Sequence, residues 1–421
     1  MKIHRFAILV IVLLAWPSLT GAQQPKKGFE VTKIADRLYE LSVDAGGYPL
    51  KVIASVGPDG VLIVDSAVRS TGPALAEALK AFGQGMPKII INTHSHIEHL
   101  GGNVDVGHGA LIIGHRNLRD RYLNGLYAFG DFPPEALPNL TFTDSLSVYF
   151  NGEEIRLAAF TGAHDDSDIV VWFTKSKVAV VGALCMGKHF PSIDGDTSDV
   201  RKYPETTAKV LAFLPDDVRL VPGHAEDCDM AEARRFLDML QKTREIVRAE
   251  MAKGKNLARL QADDVLAAYA SYESSYVKRD EWIEDWYSAY ANPRVDKPKP
   301  FGPVIRALRE QGAESAMEVY GELRRTQPDQ YWFEDQALMW MGRRLARMNR
   351  LREAEIFLER CIKEFPGSDG AAVSHQVLAS VFEKQGDLGK ARLHLSEYLV
   401  KHPEDQAARQ KLVEIEVKLK K

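Results

Sequence analysis

The sequence predicts an α/β domain followed by an all-α repeat domain. Three observations carry that prediction: short apolar runs broken by Gly, Pro and Asp between Phe29 and His224, a change to helical periodicity from Met230, and a spaced Ala/Pro pattern beyond residue 304. Val61–Val64, Ile89–Ile91 and Val178–Val181 are short and rich in β-branched residues, as buried strands are. Ala74 to Phe82, lying between the first two, reads as a helix. Strands interleaved with helices make a layered α/β domain.

From Met230 to about Ala291, Phe236, Leu240, Val247 and Met251 recur at helical spacing with charges between them, and Trp282, Trp286 and Tyr287 close the zone. Residues 292–303, rich in Pro and Lys, read as a linker. In 304–421 an Ala is followed twelve residues later by Pro three times, at Ala316/Pro328, Ala354/Pro366 and Ala391/Pro403. Twelve residues before the second and third Ala stand Gly342 and Ala379, small enough for two helices to approach closely. This pattern resembles the tetratricopeptide repeat. Its first copy is degenerate, and residues near Gln406 to Lys420 form a polar final helix. An ordinary helical bundle is the plainer alternative.

The 421 residues are 45% hydrophobic and 27% charged, enough for several domains with a real core and too apolar for a disordered chain. The net charge of −4 argues against a nucleic-acid binder, which needs a basic face. Three cysteines cannot make a disulfide scaffold. Lys2 and Arg5, the apolar run Phe6 to Trp16 and the small residues Thr20-Gly21-Ala22 have the layout of a signal peptide over residues 1–22. Export to a periplasm or beyond is therefore expected, with no membrane span in the mature chain; a retained anchor is the alternative.

The chemistry-bearing stretch is Asn92-Thr93-His94-Ser95-His96-Ile97-Glu98-His99-Leu100-Gly101-Gly102. Three imidazoles and a carboxylate lie within six residues directly after a predicted buried strand, a density that packing does not explain and that zinc coordination does. Gly101 and Gly102 are expected to let the backbone turn tightly after the ligands. His164, in Gly162-Ala163-His164-Asp165-Asp166-Ser167-Asp168, and His224, in Val221-Pro222-Gly223-His224, also stand beside apolar runs and can converge on one cleft.

These blocks resemble the metallo-β-lactamase-fold hydrolases, whose pattern is H-x-H-x-D-H, a later His, an Asp and a final His. Asp65, after Leu62-Ile63-Val64, matches the Asp that ends an early strand of that fold, and Gly182 to Asp194 is similar to the family's G-D-x-x-F segment. The resemblance covers roughly residues 30 to 290 and implies a four-layer αββα fold over 29–291. It also implies that His94, His96 and His164 hold a first zinc and that Glu98, His99 and His224 belong to a second, with metal-bound hydroxide as the attacking group and Glu98 at the catalytic position.

Two residues depart from the family. Glu98 replaces its Asp, and Ala183 replaces its bridging Asp. Ala183 offers no ligand, whereas Glu98, a methylene longer, reaches farther. One firmly held zinc and a weak or empty second position are expected. Asp165 reads as a solvated loop acid more readily than as a ligand or an acceptor behind one, Cys185 and Cys361 as core thiols, and His189 as a surface residue more readily than as a pocket-lining one. A Cys185–Cys228 disulfide is conceivable. His108, His115, His375, His394 and His402 lack a metal-like context. Tyr127, Phe129 and Phe132 either line the pocket rim or pack on the domain.

The leading expectation is an exported zinc hydrolase acting on a small molecule through an ester, thioester, lactam or similar bond, with repeats that engage a protein partner or a second copy. The alternative is a metal-stabilised scaffold that has lost efficient catalysis and works as an interaction platform.

Overall fold

The computed structural model describes residues 28–44, 49–124, 132–193, 198–275, 277–291, 299–403 and 405–420. The expected signal segment, Tyr127, Phe129, Asp194 and linker residues 292–298 lie outside the described residues.

The first sheet contains β1 (Glu30–Lys33), β2 (Leu38–Asp44), β3 (Pro49–Gly57), β4 (Gly60–Val64), β5 (Ile89–Ile91), β6 (Leu111–His115) and β7 (Leu140–Phe142), neighbours in that order. Its first four strands pair antiparallel, whereas β4 to β7 pair in parallel. The second sheet holds β8 (Ser145–Phe150), β9 (Glu153–Ala159), β10 (Ile169–Phe173), β11 (Val178–Gly182) and β12 (Arg219–Pro222); all pairs are antiparallel except β11 with β12.

Alternation along the strands sorts side chains into layers. In β4, Leu62 and Val64 face the second sheet and join Ile91, Ile155, Val171 and Val180 in the core between the sheets. Val61 and Ile63 point the other way, against Leu75 and Leu79 of α1 (Gly72–Lys80) and Val106 of α3 (Asn103–Val106), which follows α2 (Ile97–Leu100). Val170, Ala179, Val181 and Leu220 cover the outer face of the second sheet. They pack on α5 (Tyr203–Phe213), α6 (Met230–Ala252), α7 (Leu257–Ala262) and α8 (Arg279–Ala291) through Tyr203, Phe236, Leu240, Leu260, Trp282 and Trp286. The result is four layers, αββα. A further helix, α4 (Arg116–Asn124), follows β6 and packs Leu118 and Tyr122 against Leu100 and Leu137.

The C-terminal region is all helical: α9 (Phe301–Gln311), α10 (Ala313–Thr326), α11 (Asp335–Arg347), α12 (Leu351–Glu364), α13 (Asp369–Gln385), α14 (Leu388–Lys401) and α15 (Gln406–Leu419). Helix α9 begins at Phe301, so the last residues of the expected linker are its first turn. Ala316, Ala354 and Ala391 are fully buried, one each on α10, α12 and α14. A Cβ added at Gly342 would meet Leu358 Cγ at 2.5 Å, so α11 and α12 touch there as the small residue implied. The arrangement is consistent with a helical-repeat module. No helix among the described residues is long and apolar enough to cross a membrane.

Candidate metal centre

The loop after β5 carries the first cluster of ligand-type residues. Its shape is fixed from behind. Buried Asn92 accepts from Asn103 Nδ2 (2.8 Å), and Asn103 also donates to the Ala136 carbonyl (3.0 Å). The Ser66 backbone N–H donates to the His99 carbonyl (2.8 Å), tying the loop to the end of β4. Gly101 and Gly102 have ordinary right-handed helical φ rather than a turn conformation. They are needed for space: an added Cβ would stand 2.5 Å from the Arg69 nitrogen at the first and 2.1 Å from the Ser66 carbonyl oxygen at the second.

Among the described residues, two groups of donors converge, His94 with His96 and His164, and Glu98 with His99 and His224; within each group one ligand atom per residue lies within 4.8 Å of the others. All six sequence-predicted site residues are thus brought together. His94, His99 and His164 are buried, while His96, Glu98 and His224 are partly open.

Hydrogen bonds orient most of the rings. The Thr93 hydroxyl donates its one proton to Asp65 Oδ2 (2.8 Å), so towards His94 Nδ1, at 3.0 Å, it can only accept. His94 then carries its proton on Nδ1, and its buried Nε2 has no hydrogen-bond partner. His99 directs Nδ1 to Asp65 Oδ2 (2.7 Å), His164 directs Nδ1 to Asp168 Oδ1 (3.2 Å), and His224 directs Nδ1 to the Pro49 carbonyl (3.2 Å). An outer acceptor that fixes the tautomer and leaves Nε2 basic is the arrangement that metal-binding histidines use. It also leaves His99 Nε2 and His224 Nε2 facing each other at 3.0 Å. Two lone pairs at that distance repel unless a cation or a proton stands between them. The residues present therefore fit a bound metal ion.

Electrostatics agree. Burial, followed by the surrounding imidazoles, holds His94 well below the usual histidine range. Burial and His99 bring His224 down to about 3 against the pull of Glu98. Both rings are therefore neutral at pH 7, as a metal-binding imidazole must be. Burial opposes ionisation of Glu98, but His99 and His96 outweigh it and leave the carboxyl below its ordinary range. Burial lowers His164, and the Asp168 carboxylate overrides that, so its affinity for a proton is raised.

Glu98 Oε1 lies 3.8 Å from His96 Nδ1 and 4.0 Å from His224 Nε2, in the gap between the two groups. Ala183 is buried directly after Gly182, where an added Cβ would contact His94 Nδ1 at 3.4 Å. Ala183 itself carries only a methyl group, which belongs to the apolar core covering the outer face of the second sheet.

Several sequence expectations are corrected. Asp165 is fully buried rather than solvated, because its carboxylate is enclosed by Ser95, Arg121 and Ser167. His189 is half-buried, with an unpartnered Nδ1. Cys185 and Cys361 are core thiols as expected, and Cys185 and Cys228 are buried free thiols, not a disulfide. Phe132 packs on Tyr122 at a ring separation of 5.1 Å, which favours the packing role for that aromatic. Sequence reasoning missed Thr93, Asp168, Ser95 and Arg121. The first two adjoin the site motifs and could have been suspected as acceptors. Arg121 carries no sequence signal.

The molecule is thus an αββα sandwich with histidines gathered at the ends of its strands into a candidate metal site. The sequence profile of the metallo-beta-lactamase superfamily matches residues 52–224, and this part of the chain is a metallo-β-lactamase superfamily domain. A metallo-beta-lactamase type 2 of Bacteroides fragilis is 32% identical over 91 residues, 21% of this chain and 36% of that enzyme. One from Elizabethkingia meningoseptica is 23% identical over 261 residues, 58% of this chain and 96% of that enzyme. The solved metallo-beta-lactamase from Pontibacter korlensis is 20% identical, with a TM-score of 0.44 over 51% of this chain and 99% of that one. Superfamily membership supports a hydrolase.

Proposed function

We propose that the protein is an exported zinc-dependent hydrolase of a small-molecule ester, thioester, lactam or related bond, with a helical module that engages a protein partner or a second copy. The observation that carries the reading is the set of Nε2 lone pairs aimed inward while Nδ1 is tied to Thr93, Asp65, Asp168 and the Pro49 carbonyl. An ion held there supplies acidified water and polarises the scissile bond. The chain's own contribution is to hold the rings in place and to set Glu98, an ionised acceptor, in the gap between the two groups. From that position Glu98 orients the attacking water and accepts its proton.

We further propose one firmly held ion at His94, His96 and His164. That group is the more deeply enclosed. The group around His224 is more open and, with Ala183 where the family has its bridging Asp, gains no second carboxylate. The expected result is one zinc equivalent retained against a competing chelator and a second lost at least ten times more readily. Two equally retained equivalents would refute it.

The hydrolase reading is tested with chromogenic ester, thioester, lactam and phosphodiester substrates. Turnover of one class that disappears with chelator and with His96→Ala supports it. The missing donor at Ala183 favours the second reading, a metal-stabilised platform. Full metal loading without turnover of any class would establish that reading instead.

A further inference from the structure

His224 draws its support from the other half of the sandwich. It lies just past β12, in the second sheet, yet its Nδ1 is directed to the carbonyl of Pro49, the first residue of β3 in the first sheet. His99 Nε2 and His224 Nε2 face each other only while the loop that carries His224 stays against β3. That loop is closed by two backbone hydrogen bonds between Leu220 and Cys228 (2.9 and 3.0 Å) and tied to β11 by one from the Gly223 N–H to the Gly182 carbonyl (2.9 Å). None of these three bonds reaches the first sheet. Lys51 supplies one that does. By alternation it shares a face of β3 with Ile53, which sits in the core between the sheets. Two residues nearer Pro49, that face carries an ammonium. Lys51 Nζ donates to Asp227 Oδ1 (2.6 Å), at the end of the His224 loop, and lies 3.4 Å from Glu40 Oε2 on β2. None of the three side chains is more than 15% exposed. Burial raises the Glu40 carboxyl, Lys51 opposes that and Asp227 adds to it, so the two acids face each other across the ammonium. Arg219 Nε also donates to Asp227 (2.6 Å), but Arg219 belongs to β12 and ties Asp227 only to its own sheet.

We propose that Lys51 is a positioning residue: through Asp227 it fastens the His224 loop to the first sheet and so keeps His224 Nε2 opposite His99 Nε2. Without the ammonium, Glu40 and Asp227 would be two largely buried carboxylates facing each other. Like charges so placed repel, and burial leaves little water to screen them. The loop is the part free to move away, because Glu40 is built into the middle of β2. The consequence for metal binding rests on the metal-site reading above; the placement of the loop does not.

Two measurements on the full chain test this. Hydrogen exchange after metal removal reads local opening of the loop. Lys51→Met should speed exchange of the Gly223 and Cys228 amides about tenfold or more. The Lys88 and Leu111 amides, bonded at the other end of the first sheet's parallel strands, should stay within about threefold of the parent. Cobalt(II) titration reads the consequence: the second equivalent should bind about tenfold more weakly or worse, and the first within about threefold of the parent. Adding Glu40→Gln to Lys51→Met should recover most of both losses, because it removes the repulsion. Lys51→Arg, which keeps the charge, and Arg219→Gln, which cuts only the bond within the second sheet, should resemble the parent. Asp227→Ala cuts the same tether while leaving Lys51 paired with Glu40, and it carries the test if Lys51→Met does not fold. Unchanged loop exchange in folded Lys51→Met overturns the proposal. So does an equal rise at all four amides, or an equal weakening of both cobalt equivalents, since those mark a merely structural role. Should the parent bind no second cobalt, exchange alone decides; a parent that binds no cobalt at all refutes the metal-site reading instead.

Discussion

Asp65 places three demands on one carboxylate: Oδ1 accepts from the Thr93 N–H, and Oδ2 from the Thr93 hydroxyl and His99 Nδ1. It does so from a left-handed backbone conformation, φ 62°, which Asn tolerates and β-branched residues do not. Asp65→Asn should therefore fold, but its amide cannot accept on both sides. Either Thr93 or His99 loses its acceptor, and His99 is free to move its proton to Nε2. The expected outcome is about a 10- to 100-fold weaker second metal equivalent by chelator competition and a stability loss of about 1–3 kcal/mol by thermal denaturation. Unchanged metal affinity would show that Asp65 does not set the His99 tautomer. Gly223→Ala probes the same ring sterically: the new Cβ would lie 2.6 Å from His99 Cε1, and the ring is held from behind by Asp65. Overpacking of this kind costs about 1–3 kcal/mol, with the second metal equivalent weakened alongside it. At this scale the gathering of the six candidate donors was legible, because His and Glu at short spacing after an apolar run have few other uses. Arg121 was not, because an Arg on an amphipathic helix is ordinary until the fold sets it against Asp165 and Ser95.

On α13 and α14, His375 and His394 face each other with Nδ1 atoms 2.9 Å apart, half-buried beside Phe382. Burial, His375 and Lys390 push His394 down to about 4, with Glu355 opposing; burial lowers His375 as well, with Glu397 opposing. Between the ordinary histidine value of 6.5 and about 4, the unfolded chain binds a proton that folded His394 refuses. Stability of the helical region therefore falls as pH drops through that window and is restored as pH rises. The melting temperature of this region should decrease from pH 7 to pH 4.5, and His394→Gln should lessen the decrease; an equal loss in parent and variant would count against this account. The helices of the C-terminal region were legible from Ala316, Ala354 and Ala391, since small residues at a regular spacing mark where helices approach, and all three are buried. The pairing of His375 with His394 was not, because nineteen residues and a helix reversal separate them. Strands β1, β7 and β8 also lacked a clear apolar signal. The first two edge the first sheet, the third edges the second, and half-exposed edges leave their side chains mixed.

The molecule has separate cores. The cluster running from Val304 to Ile415 contains no residue of the sandwich, and the sandwich clusters contain none from the helical module. Among the described residues, the two regions meet where α9 touches α4, with Arg309 donating to the Leu123 carbonyl at the exposed end of that helix. A contact of this size couples two cooperative units weakly, since stability follows the apolar surface that each unit buries for itself. Among the described residues, the candidate metal donors belong to the sandwich. An ion that binds only the folded site raises the stability of the unit that holds it by RT ln(1 + [L]/Kd), about 2.7 kcal/mol at a hundredfold excess over Kd. Calorimetry of the full chain should therefore resolve two transitions, and chelator should lower the midpoint of one while leaving the other within a degree or two. Arg309→Ala should leave both midpoints nearly unchanged, since it removes one exposed hydrogen bond. A single transition that chelator shifts as a whole would mean that the helices and the sandwich fold as one body, and that the α4–α9 contact transmits far more than its size implies.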